Sequence, residues 1–389
     1  MKILLVITKS EIGGAQVFVL NLARTLKKNG CDVEVAAGDG NYLSGELQKD
    51  SITFHYLNSL KRNFSVMNSF YFIYDLYRLL KENNYDILHL NSSNTLIGAL
   101  SSFFIEKRPK TILTFHGLSF IDKNFKTSIF IKTLAKFYFK ILLKTVDRTV
   151  FVSNINYEMA KKAKIVKSAD VIYNGLDEND LHYLSEEEAR NYFSKKCGLN
   201  LSNDFLIGST GRLAYPKNYE FLIENYSSIK NKIPNAKVII IGEGPDYEKY
   251  KSQIHQLGIQ NEFFLVGALK DSYKYIKAFD VFTLSSHFEG LSISLIEAIF
   301  AEIPVLASDV GGNKEIVGNS SGQVYILNDI DDYIKKLLEI KKNRPRFIEF
   351  NATLKKDFAL ERMVSKYKAL YNSLIGGSKP WRFLKKGLN

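Results

Sequence analysis

The feature that most constrains this chain is a rhythm: short, almost wholly apolar runs alternate with longer amphipathic stretches along its whole length. In the first half the runs are Ile3–Ile7, Val33–Ala37, Ile87–Asn91, Thr111–Phe115, Thr149–Ser153 and Val171–Tyr173. Between them the spacing of apolar residues predicts helices over Ala15–Lys28, Ser69–Glu82, Thr95–Phe104, Lys126–Thr145 and Ile155–Lys162. Strands that are apolar on both faces and separated by helices must be covered on both sides, which means parallel sheets between helical layers. The rhythm restarts with Phe205–Ser209, Val238–Ile241, Phe263–Val266, Val281–Leu284 and Val305–Ala307. The expected architecture is therefore α/β, with two doubly wound domains and a cleft between them. A chain of 389 residues has room for both cores. The boundaries expected are 1–177 and 178–360, with 361–389 as a C-terminal helix and a basic, aromatic tail.

Composition excludes several classes. A hydrophobic content of 46% is too high for a disordered chain. Two cysteines, Cys31 and Cys197, support neither a disulfide framework nor a four-thiolate metal site, and suit a reducing, cytoplasmic compartment. The opening run Ile3–Ile7 stops at Thr8-Lys9, which is too short for a signal peptide. The most apolar segment, Ile129–Leu143, is interrupted by Lys132, Lys136 and Lys140, so no membrane span is expected.

Ligands of open parallel sheets sit beyond the carboxyl ends of the strands, so the polar residues there are the candidates. Gly13-Gly14 follows the first strand and opens a helix, where backbone can approach an anion; it fits an ordinary tight turn as well. His116-Gly117 ends another strand. The histidine could bond a sugar hydroxyl, stabilise developing charge, or simply satisfy a loop carbonyl. Arg212 and Lys217 follow the first strand of the second half, and two cations so placed match a diphosphate better than solvent. The strongest pattern is Ser285-Ser286-His287-Phe288-Glu289-Gly290-Leu291-Ser292, which runs on to Glu297. Ser292 reads as a helix N-cap, and the helix start offers N–H groups to a phosphate. Glu297, among Leu295, Ile296, Ala298 and Ile299, is in poor company for an idle carboxylate and could accept ribose hydroxyls. Asp329-Ile330-Asp331 imitates a metal-binding Asp-x-Asp but opens an amphipathic run, so it reads as a helix start.

Taken in order, Gly13-Gly14, His116-Gly117, Asn174-Gly175-x-Asp177, Gly211-Arg212-Leu213…Lys217, Gly242-x-Gly244, Glu289-Gly290…Glu297-Ala298 and Gly311-Gly312…Glu315-Ile316-Val317 resemble glycosyltransferase family four. The resemblance implies a GT-B fold of two Rossmann-like domains, with the C-terminal helix returning to the first. It implies a retaining hexosyl- or N-acetylhexosaminyltransferase that moves a sugar from a nucleotide diphosphate sugar, on family frequency a UDP-sugar, to a hydroxyl. By that similarity Arg212 and Lys217 neutralise the leaving diphosphate, Glu297 holds the ribose and Glu289 touches the donor sugar. Gly13, Gly14, Gly242, Gly290, Leu291 and Ser292 complete the donor site, and His116 contacts the transferring sugar. No cofactor or metal is implied. Two positions depart from the family pattern: Asn218 stands where glycine is frequent, and Leu291-Ser292 where an aromatic-glycine pair is common. The rivals are a sugar-nucleotide epimerase of the UDP-GlcNAc 2-epimerase type and a non-catalytic sugar-nucleotide-binding protein.

Charge adds a further expectation. Residues 1–176 hold 24 Lys+Arg against 14 Asp+Glu, whereas the remainder holds 29 against 27. Lys132, Lys136, Lys140 and Lys144 recur among aromatics in a stretch without acids, and Trp381, the single tryptophan, sits in a basic tail. These residues are candidates for contact with an anionic membrane surface, with a packed helix and a loose terminus as the plainer readings. A lipid-linked saccharide in surface polysaccharide assembly is the acceptor this would suit. No nucleic-acid-binding pattern is present.

Overall fold

The computed structural model describes residues 1–61, 65–122, 127–318 and 323–376. The first sheet contains β1 (Lys2–Ile7), β2 (Asp32–Ala37), β3 (Thr53–Tyr56), β4 (Ile87–Asn91), β5 (Lys110–Phe115), β6 (Arg148–Phe151) and β7 (Asp170–Val171). The second contains β8 (Phe205–Thr210), β9 (Ala236–Ile241), β10 (Phe263–Leu265), β11 (Val281–Leu284), β12 (Val305–Ser308) and β13 (Val324–Tyr325). Their orders are β3-β2-β1-β4-β5-β6-β7 and β10-β9-β8-β11-β12-β13. Neighbours within each sheet pair in parallel. Chain direction across each sheet reverses beside its first strand, between β1 and β4 and again between β8 and β11. That is where open sheets form a ligand crevice.

The helices of the first domain are α1 (Gly14–Lys28), α2 (Tyr42–Lys49), α3 (Val66–Glu82), α4 (Ile129–Leu142) and α5 (Asn154–Lys162). A long 3-10 segment, Ser93–Phe104, lies between α3 and α4 in the chain. The second domain adds α6 (Glu186–Cys197), α7 (Tyr219–Glu224), α8 (Tyr226–Lys232), α9 (Tyr247–Gln256), α10 (Ile293–Phe300), α11 (Asn313–Val317), α12 (Ile330–Lys342) and α13 (Arg344–Leu354). Last comes α14 (Leu360–Ile375).

Strand alternation explains the layers. Ile3, Leu5 and Ile7 of β1 share one core with Val19, Leu22 and Leu26 of α1, while Leu4 and Val6 face a second core with Phe72 and Leu76 of α3. The linker helix α6 carries its own start and stop signals. Ser185 and Glu188 form a capping box, and Gly198 closes the end in a left-handed conformation.

The C-terminal helix returns to the first domain. Leu176 donates to the Phe358 carbonyl and Leu360 donates to the Leu176 carbonyl, both at 2.9 Å, so the two interdomain crossings are stitched together. Met363, Val364, Tyr367 and Tyr371 of α14 then join the core built on β1 and α1. Inside it, buried His89 bonds the Tyr371 hydroxyl through Nδ1 and the Thr114 hydroxyl through Nε2, each at 2.7 Å.

Some local expectations change. The stretch read as helix over Thr95–Phe104 is 3-10, and the helix read over Lys126–Thr145 runs as α4 followed by a 3-10 turn at Leu143–Thr145, with Lys126 outside the described residues. Asp329 caps α12, accepting from the Asp332 N–H at 2.9 Å, as a helix start requires. Trp381 lies outside the described residues. Among the described residues no helix is long and apolar enough to cross a membrane.

Candidate active site

The segments after β1, β5 and β6 meet those after β11 and β12 across the cleft, and the loop after β8 packs beside the latter. Gly290 shows how closely. A Cβ built there would lie 1.9 Å from the His116 carbonyl oxygen, so only glycine allows the two loops to touch. Gly14 approaches Ile293, the first residue of α10, with 3.3 Å from its built Cβ to the isoleucine side chain. Within the second domain, Gly242 lies so near the Gly211 carbonyl that a Cβ would sit 1.9 Å from its oxygen.

Lys217 and Glu289 come together although 72 residues apart: Nζ lies 2.8 Å from Oε1, and the Ser286 hydroxyl donates to the same oxygen at 2.6 Å. Burial opposes the charge on Lys217, yet the carboxylate beside it outweighs that, and the ammonium is held above its ordinary pKa. Oε2 of Glu289 has no partner among the described residues. Arg212, by contrast, is exposed, and its guanidinium makes no ion pair or hydrogen bond among the described residues, so its charge is uncommitted.

Asn218 adopts the left-handed conformation, φ 57°, that glycine would meet at no cost, and its amide donates to the Ser285 carbonyl at 2.9 Å. Ser292 occupies the N-cap position of α10, but its side chain makes no cap bond; Oγ lies 3.1 Å from Ser294 Oγ instead. The α10 turn closes with Ile296 donating to the Ser292 carbonyl, which leaves the N–H groups of Ile293, Ser294 and Leu295 without helical acceptors. Glu297 lies one turn further in. Its carboxyl has no hydrogen-bond or ionic partner among the described residues, and burial raises its pKa to about 8.

His116 brings a different chemistry from the opposite side of the cleft. Its Nε2 lies 3.3 Å from Asn91 Oδ1, and Phe18 packs edge-on with ring centroids 4.6 Å apart. Asn91 donates its own amide to the His89 carbonyl, so Oδ1 is the acceptor and the His116 proton sits on Nε2. Nδ1 remains an unused acceptor, and burial pushes the ring down to about 3. Of the roles expected for His116, accepting a hydroxyl hydrogen suits this neutral ring. Direct stabilisation of negative charge by an imidazolium does not.

Sequence reasoning missed the residues that close the cleft. The Glu315 carboxylate, from the second domain, accepts from the Asn154 and Ile155 N–H groups at 2.8 and 2.6 Å, capping α5 of the first. Asn156 donates to the Glu289 and Gly290 carbonyls at 3.2 and 3.3 Å, and Asn174 donates to the Leu291 carbonyl at 3.0 Å. The only sequence signal was the place of Glu315 and Asn174 in the ordered family pattern, with no role attached to either.

The proposed membrane-facing lysines are unequal. Lys132 turns inward to donate to the Asp122 carbonyl at 2.9 Å and Lys136 is half-buried, while Lys140 and Lys144 are exposed.

Two parallel-sheet domains meeting through their strand ends make a GT-B fold, with cations and a helix start on one lip of its cleft. Similarity places the chain more closely. The model for Glycosyltransferase Family 4 matches residues 12–180, and that for Glycosyl transferases group 1 matches residues 194–356. The chain belongs to glycosyltransferase family four. It shares 28% identity over 375 residues with the UDP-Gal:alpha-D-GlcNAc-diphosphoundecaprenol alpha-1,3-galactosyltransferase of Escherichia coli, covering 94% of this chain and 95% of that one. The capsular polysaccharide biosynthesis glycosyltransferase CapH of Staphylococcus aureus is 24% identical over 90% of this chain and 93% of its own. Among solved structures, Anabaena Alr3699/HepE in complex with UDP and glucose superposes with a TM-score of 0.81 at 19% identity, over 96% of this chain and all of that one. At that identity the superposition speaks for the fold alone.

Proposed function

We propose that this glycosyltransferase moves a hexosyl or N-acetylhexosaminyl group, with retention, from a UDP-sugar to a hydroxyl of a lipid-diphosphate-linked saccharide in surface polysaccharide assembly. The observation that carries the donor half is the Lys217–Glu289 pair just before the start of α10, with the exposed Arg212 on the same loop after β8 as Lys217. A diphosphate leaving group needs just such fixed positive charge as the bond from the anomeric carbon to phosphate breaks. In this reading the second domain binds the donor and the first binds the acceptor. Arg212 and Lys217 take up the developing charge, and Ile293 to Leu295 offer N–H groups to the distal phosphate. Glu297 accepts the ribose hydroxyls, and Glu289 Oε2 takes a hydroxyl of the transferring sugar. Gly13 and Gly14 let the backbone close over the donor. His116 Nδ1 accepts a sugar hydroxyl and orients it.

The acceptor oxygen bonds to the anomeric carbon, the electrons of the broken bond go to UDP, and the acceptor proton goes to the departing phosphate. Attack on the face the phosphate leaves gives retention. The acceptor class draws on the similarity to the Escherichia coli galactosyltransferase, whose name specifies a diphosphoundecaprenol-linked sugar. Two free cysteines fit a reducing cytoplasmic setting.

The test is UDP release across a panel of UDP-sugars, with and without a short-chain prenyl-diphosphate saccharide, followed by the anomeric configuration of the product. Acceptor-dependent UDP release with an α-linked product from an α-configured donor supports the reading. Conversion of the donor with no acceptor present would replace it with an epimerase, and an inverted product would remove retention.

A further inference from the structure

On the first domain, one face of α4 carries Phe130, Leu134, Phe137 and Ile141, whose spacing of four, three and four makes a single stripe, and all four are exposed. Phe130 is 77% exposed. Phe70, at 65%, and Tyr74 stand out from α3 in the same way, and Phe104, at 71%, from the 3-10 segment. The opposite sides of these elements are already apolar and buried: Phe72 and Leu76 of α3 and Phe139 and Leu142 of α4 fill the core beneath. A helix apolar on both sides is built to be covered on both sides.

The three elements are neighbours. A groove between α3 and α4 is lined by Asn68 and Ser69 on one wall and Tyr138 and Phe139 on the other, with Ile97 of the 3-10 segment at its floor. Tyr77 of α3 meets Phe104 edge-on at 6.4 Å. The α4 stripe is thus one apolar face, and the exposed aromatics of α3 and of the 3-10 segment stand on the elements packed beside it, an arrangement that marks an interaction surface better than scattered singles do.

Charge selects the occupant. No acid occurs between Asp122 and Asp147, and Lys140 and Lys144 stand exposed on the flank of the α4 stripe. The first 176 residues carry a net charge of +10, so a second copy of this face would repel it. Aromatics among lysines, on helices too short to span, suit a surface that is anionic outside and apolar beneath.

We infer that the α3–α4 face docks the protein on an anionic lipid bilayer, with the aromatic side chains entering the interface and the lysines facing lipid phosphates. The groove between the helices also reaches Ser93 and Asn94, just past the end of β4, on the edge of the sheet that faces the cleft. An acceptor held in the bilayer is thereby brought beside the site. The inference deepens the lipid-linked reading of the acceptor, but its test needs no acceptor.

The experiment is flotation of the full chain with vesicles of phosphatidylcholine alone and of phosphatidylcholine with phosphatidylglycerol in equal parts. The expected result is co-flotation with the anionic vesicles, reduced by high salt. The triple variant Phe70→Asp, Phe130→Asp, Phe137→Asp should lower it about tenfold, with UDP binding unchanged because exposed groups outside the donor site are altered. Wild-type chain that stays unbound, or a triple variant that floats as well as wild type, overturns the inference. So does a wild-type dimer that the three substitutions dissociate, which would assign the face to a second copy. Loss of transferase activity alongside intact flotation would count against the catalytic reading alone.

Discussion

Glu297 offers the sharpest test of how this cleft is built. Its carboxyl is raised from 4.5 to about 8 by burial, so the native protein keeps a proton there that the unfolded chain releases. Native protein binds the extra proton between those two values, and stability therefore falls as pH rises through that window and levels off above about 8. Each tenfold difference in proton affinity between the native and unfolded carboxyl is worth about 1.4 kcal/mol, giving a full penalty of about 5 kcal/mol. Glu297→Gln mimics the protonated form and removes the penalty. Relative to wild type the variant should be more stable by about 1 kcal/mol at pH 5, about 3 at pH 7 and about 5 at pH 9, read from urea unfolding.

The same carboxyl should report on its ligand. If the ribose hydroxyls donate to a charged Glu297, UDP binding at pH 7 releases about nine-tenths of a proton. Calorimetry in phosphate and Tris, whose ionisation enthalpies differ, should give different apparent binding enthalpies for wild type and the same enthalpy for Glu297→Gln. A stability difference that stays flat from pH 5 to pH 9 would refute the buried, neutral carboxyl. A buffer-independent wild-type enthalpy would refute its place on the ribose.

Arg212→Ala should lower kcat by about 10²–10³ while leaving the urea midpoint unchanged, because the side chain is exposed and uncommitted. Gly290→Ala places a methyl group where the His116 carbonyl now lies, so the loops must part; kcat should fall about 10²-fold and X-ray scattering should show a more open particle. Tyr371→Phe strips a partner from buried His89 and should cost about 1–3 kcal/mol in chemical unfolding, since it loosens the return of α14.

Much of this architecture was legible because burial wrote it into the chain. Strands such as Ile3–Ile7 are covered on both faces, and their apolar runs could not be mistaken for loops. Edge strand β3, Thr53–Tyr56, mixes polar and aromatic residues and buries none of them fully; α2 carries Gly45 at its centre and buries only Leu43 and Leu47. Neither has a pattern to read. The candidate site divides the same way. Glu297 stood out because it interrupts a run of core residues, Leu295, Ile296, Ala298 and Ile299, in the short helix α10. The pairing of Lys217 with Glu289, the capping of α5 by Glu315 and the neutrality of His116 arise from contacts between segments far apart in the chain, and Ser292 followed the cap pattern without making the cap bond.

The charges of the cleft obey one constraint. Bringing two domains together around ionised groups is costly unless each charge is paired or neutralised. Here Lys217 is paired with Glu289, Glu315 is paired with the start of a helix, His116 is neutral because it is buried, and Glu297 is largely protonated at neutral pH for the same reason. Arg212 is the exception, and it keeps its exposure to solvent. The protein's own groups thus hold the cleft nearly neutral while the loops touch. In the proposed reading, an incoming diphosphate would meet one guanidinium and three N–H groups that have no partner among the described residues, together with one ammonium already fixed in position, so little reorganisation remains to be done as charge develops on the leaving group.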